Sequence, residues 1–141
     1  MKEFTSQICT NAEQSQRLLD LGLKPETADM KHFFDNRNDY SFFHHWECIP
    51  YEWDKEFLVD SENIPAWSLH RLIELLPQDI HLDDYADTHY YLTINPFKVI
   101  YINSHGLWIY QKDEGCLYDK LIDTIEWTIK NNFFNKEFLN E

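Results

Sequence analysis

The sequence predicts a small α+β protein with an antiparallel sheet, and three observations lead there. Between Thr88 and Gln111 the apolar pattern has a period of two, with Tyr90, Leu92 and Ile94 alternating with His89, Tyr91 and Thr93. Helix-period runs flank that region on both sides. The links within it, Asn95-Pro96 and Asn103-Ser104-His105-Gly106, are too short for parallel crossovers, so the strands must form a meander over 88–111.

The first helix is expected over 11–21. Thr10 is a suitable N-cap and Glu13, three residues on, completes a capping box. Gly22 is placed for a left-handed C-cap, and Pro25 prevents continuation. A further strand is expected over 40–47, where Tyr40, Phe42, His44 and Trp46 alternate with Ser41, Phe43, His45 and Glu47. Phe33-Phe34 belong to a neighbouring strand on the same reasoning.

The second helix is expected over 65–76, with Pro65 at its first position and Pro77 ending it. Leu69, Leu72, Ile73 and Leu76 make one apolar face, with Arg71 and Glu74 pointing away. The meander follows, its second and third strands at Val99–Ile102 and Leu107–Tyr110, with Gly106 available for a positive φ in the turn. The third helix is expected over 117–131. Tyr118, Leu121, Ile122, Ile125 and Ile129 form its buried stripe, and Glu126 and Lys130 form an i, i+4 pair on the outside.

A chain of 141 residues reads as a single domain, 1–141. Such a chain buries about two-thirds of its unfolded surface and needs no metal or disulfide staple. Its 43% hydrophobic and 16% aromatic content is ample for a core. No apolar run approaches the ~20 residues of a membrane span. Met1–Gln7 carries an acid and polar residues where a signal peptide has its apolar stretch, so a cytoplasmic setting is expected. Cys9, Cys48 and Cys116 are odd in number and widely spaced, which argues against a disulfide framework or a four-cysteine zinc site. Cys9 and Cys116 read as buried small hydrophobes.

Net charge is −13, and residues 47–87 hold eleven acids against Lys55 and Arg71, a local balance of −9. That field repels phosphate backbones and anionic lipids, so direct nucleic-acid binding and membrane association are not expected.

Two clusters carry potential metal ligands. In His44-His45-Trp46-Glu47-Cys48 the weak candidates are His45 and Glu47, but neighbours on a strand point to opposite faces. In His81-Leu82-Asp83-Asp84-Tyr85-Ala86-Asp87 they are His81 and Asp83. A calcium loop needs a glycine that this segment lacks, and a solvated acidic connection is the competing reading. Ser68 and His70 are two apart on a helix and cannot act together. With three glycines the chain holds neither a dinucleotide nor a Walker fingerprint. No catalytic residue and no cofactor are assigned.

Three segments carry a family resemblance: Glu13–Met30, Ile64–Pro77, and the looser Tyr118–Phe134 with its Ile125-Glu126-Trp127. Together they resemble a family of small uncharacterised proteins encoded in Bacteroides-type genomes and their prophage-like regions. The resemblance implies a bacterial or phage origin and a cytoplasmic setting. It implies no activity, cofactor or catalytic residue.

The aromatics of 40–57 remain. Tyr40, Phe42, Trp46, Tyr51 and Trp53 crowd beside the acidic segment, and such side chains are enriched at protein interfaces. The competing reading is that they cover the far side of the sheet. The sequence therefore favours a non-catalytic protein-binding or mobile-element accessory module, its partner a host or phage protein. A metal-dependent hydrolase built from convergent histidines and carboxylates is the alternative, and a structural subunit of a homo-oligomer, a homodimer burying the same aromatics, is a third reading.

Overall fold

The computed structural model describes residues 7–34, 46–50, 64–83 and 88–141. The fold is α+β, with three α-helices and two antiparallel sheets among the described residues. It divides into two compact units. One comprises the described residues up to Arg71 together with Phe138–Glu141, and the other Leu72–Glu137.

The first unit holds α1 (Ala12–Asp20) and the strands β1 (Met30–Phe34), β2 (Trp46–Pro50) and β3 (Ile64–Ala66), ordered β2-β1-β3. Helix α1 is capped one residue later than Thr10 suggests. Asn11 Oδ1 accepts from the Gln14 backbone N–H, and the Gln14 side chain accepts from Asn11 N–H. Thr10 is engaged elsewhere. It is fully buried, its hydroxyl oxygen accepts from Trp67 N–H, and its own N–H donates to Trp67 O. These bonds tie the start of α1 to the end of β3 around Trp67, which is itself fully buried. Helix α1 ends on Gly22 at φ +100, as its sequence requires. Leu23 then pairs with Leu139 as the chain terminus returns.

The second helix begins later than expected. Residues Ile64–Ala66 are an edge strand, with Pro65 opposite Lys31, and α2 covers only Leu69–Leu75. Proline suits a sheet edge as well as it suits a first helical turn, because neither needs its N–H. Ser68 makes the choice: its N–H and hydroxyl both donate to Asp29, while its Oγ accepts from Arg71 N–H to cap the helix. Cys9 is buried, but as a disulfide sulfur rather than the expected thiol, and Cys116 is exposed rather than buried. Wide spacing along the chain argues against a cross-link, but it does not decide which sulfurs the fold buries or joins.

In the second unit, β4 (Asp79–Leu82), β5 (Thr88–Ile94), β6 (Val99–Ile102) and β7 (Trp108–Lys112) lie in that order as a meander. Helix α3 (Leu117–Lys130) packs on one face. Its Trp127 stacks on Tyr110 and Tyr101, with centroids 4.6 and 5.8 Å apart, and meets Phe133 at 5.6 Å. Lys112 on the same face pairs with Asp123 at 3.3 Å. Leu121, Ile122 and Ile125 are fully buried, and Glu126 bonds Lys130 at 3.0 Å, as the helical pattern requires.

The β5–β6 and β6–β7 turns are built on asparagine. Asn95 Oδ1 accepts from the N–H groups of Phe97 and Lys98, and Asn103 Oδ1 from those of His105 and Leu107. Gly106 takes φ +81, as expected. Strand β4 corrects one expectation. His81 and Leu82, read as part of an acidic connection, are paired with His89 and Thr88. Among the described residues no helix is long and apolar enough to cross a membrane.

Candidate protein-contact face

The meander has two faces, and α3 covers one. Tyr101 and Tyr110 are register partners that both meet Trp127, and Leu92 pairs with Tyr101, so these three face the helix. Strand alternation then sends Asp79, His81, His89, Tyr91, Thr93, Ile100, Ile102 and Gln111 to the other side. On that side Ile100 is buried, but the end formed by β4 and β5 is open.

At the open end three rings form a ladder. His81 and His89 are directly opposed across β4 and β5, and their rings stack 4.4 Å apart at 13°. The His89 and Tyr91 rings follow at 6.3 Å and 14°. Nδ1 of His89 lies 2.9 and 3.0 Å from the two carboxylate oxygens of Asp79. With the ring neutral, Nδ1–H donates to Asp79 and leaves Nε2 an acceptor. Nδ1 of His81 lies 4.0 Å from Asp83, which is almost wholly exposed. A register shift beside Ile102 sets Trp108 opposite it, in the row Tyr91–Ile102–Trp108. Tyr91 is 50% and Trp108 57% exposed, so two large aromatics stand in solvent on a rigid sheet. The strand residues of this face carry one acidic group, Asp79, with Asp83 following β4, and no lysine or arginine.

Of the sequence candidates, His81 and Asp83 belong to this face. Glu47 and Trp46 lie on β2, in register with Phe33 and Phe34. His45, Tyr40, Phe42, Tyr51 and Trp53 lie outside the described residues. Among the described residues no group of three or more histidine, cysteine, aspartate or glutamate side chains is arranged to hold a metal ion. The sequence missed His89, Tyr91 and Trp108 as surface groups. The signal for Tyr91 was present in the period of two, but which set of alternating residues meets a helix is decided by packing.

In comparisons with known proteins, no family model, no curated protein and no solved structure matches this chain.

Proposed function

We propose that this protein is a non-catalytic binding module that engages a basic protein partner through the open face of its four-stranded sheet. The observation that carries this reading is the pairing of exposed Tyr91 and Trp108 with Asp79 and Asp83, on a face without cationic strand residues. Tyrosine and tryptophan supply contact area at low entropic cost, and a net charge of −13 steers a cationic partner toward it. The same charge opposes a second copy of the chain as occupant, since two such surfaces repel. The resemblance to small proteins of Bacteroides-type genomes and their prophage-like regions supports an accessory role on a host or phage protein in the cytoplasm.

The test is capture from host lysate with tagged wild-type protein and with a Tyr91→Ala/Trp108→Ala double variant, each washed at low and high salt. A basic partner retained by the wild type, released by salt and absent from the variant is expected. Equal capture by both proteins would reject this face as the contact surface.

A further inference from the structure

We infer that the group recognised on this face is arginine, presented on a basic segment of the partner, rather than positive charge in general. The inference rests on the binding reading above and names its chemistry. Charge complementarity selects a cation: the face offers Asp79 and Asp83, and its strand residues carry no lysine or arginine to compete. Geometry then selects among cations. The rings of His81, His89 and Tyr91 are within about 15° of parallel from one neighbour to the next, a ladder that a flat guanidinium extends by stacking on the exposed ring of Tyr91.

Hydrogen bonding selects in the same direction. Asp79 holds Nδ1 of His89, so the Nε2 of the neutral ring is an acceptor. Carboxylates, imidazole Nε2 and a tyrosine hydroxyl together present several acceptors around flat surfaces. Guanidinium carries five donors in one plane and no acceptor, whereas a lysine ammonium matches the charge but neither the plane nor the fork. Trp108, at the far end of the Tyr91 row, offers a second open ring to a neighbouring arginine.

The experiment titrates the full chain with two synthetic peptides of equal length and charge, one oligo-arginine and one oligo-lysine, at pH 8 and fixed salt. The arginine peptide is expected to bind about tenfold more tightly, the worth of one to two stacking contacts. A Tyr91→Ala/His81→Ala variant is expected to reduce that ratio to near one while its circular dichroism stays unchanged, both side chains being substantially exposed. Equal affinity of the wild type for both peptides would overturn arginine selection and leave the basic-partner reading standing. Failure to bind either peptide would overturn both. A preference that survives intact in a folded variant would place arginine recognition elsewhere and overturn the assignment to this face.

Discussion

The ammonium of Lys120, on a side chain only 3% exposed, donates to the carbonyl of Phe97, whose own side chain is 78% exposed. Burial is inverted relative to the usual ranking of the two residues. The bond explains the lysine: its stem lies in the packed side of α3 while its head secures the β5–β6 turn. Asn95 fixes the same turn from within through the N–H groups of Phe97 and Lys98. Lys120→Met keeps the stem and removes only the charged donor. It is expected to cost about 1–3 kcal/mol in urea denaturation, whereas Phe97→Ser should change stability by less than about 0.5 kcal/mol. An unchanged midpoint for Lys120→Met would show that the turn holds without its anchor.

Alkaline pH should unfold the second unit through its tyrosines. Burial raises the phenol of Tyr101 well above its ordinary value, with Tyr110 adding to the effect. Burial raises Tyr110 as well, opposed by the hydrogen bond it accepts from Thr124. Lys112, held by Asp123, is shifted in the same direction. In each case the folded value lies above the unfolded one. The contribution to stability is therefore complete below about pH 10 and is lost as pH rises further, because the unfolded chain releases protons that the folded chain keeps. Thermal melts from pH 8 to 11 should show a midpoint that is flat and then falls. Tyr101→Phe should lower stability by about 1 kcal/mol at pH 8, through loss of the bond to Pro77 O, and make the alkaline fall shallower. An equally steep fall in the variant would assign the transition to other groups.

Sequence pattern located the elements that local physics decides. The meander 88–111 was legible because alternation and asparagine turns agree, and 117–131 because its apolar stripe is long. The 65–76 expectation erred at its start because Pro65 fits either state, and the deciding partners, Asp29 and Met30, are more than thirty residues away. Strand β4 was obscured because four residues with charged or polar groups at Asp79 and His81 also describe a loop. The candidate face was half legible. His81 and Asp83 stood out by type, but the value of His81 lies in its cross-strand partner His89, and pairing across a sheet is not written in either segment. Apolar pattern says which residues seek cover, not which face the helix occupies.

Helix α3 ends on a residue whose backbone no sequence expectation anticipated. Asn132 takes φ +63, Phe133 N–H returns to Thr128 O at 2.8 Å, and the helix stops as it would on a glycine. Asparagine is among the few side chains that tolerate this region. Asn132→Gly should be neutral or stabilising by a few tenths of a kcal/mol. Asn132→Val should cost about 1–2 kcal/mol, since a β-branched residue there is forced into a region it avoids. Urea titration of both variants checks the difference, and equal stabilities would mean that the turn relaxes to another conformation.

Stability of the first unit should depend on the redox state of Cys9. Its sulfur is buried and disulfide-bonded, 3.7 Å from Nε2 of His32, and the same nitrogen lies 2.6 Å from Thr10 O. With Nε2–H donated to Thr10, Nδ1 of His32 is buried without a partner among the described residues. Reduction should destabilise the first unit, by about 2–4 kcal/mol if the bond behaves as cross-links usually do. Intact mass under non-reducing conditions, with alkylation to trap thiols, reports the redox state, and urea denaturation with and without reductant reports its worth. An oxidised Cys9 in protein taken directly from its host would argue against a reducing cytoplasm as its setting, because such bonds persist where the surroundings are oxidising. A fully alkylatable Cys9 with an unchanged urea midpoint would show instead that the fold is complete without the cross-link, and that burial of Trp67, Leu18 and Leu23 suffices for the first unit.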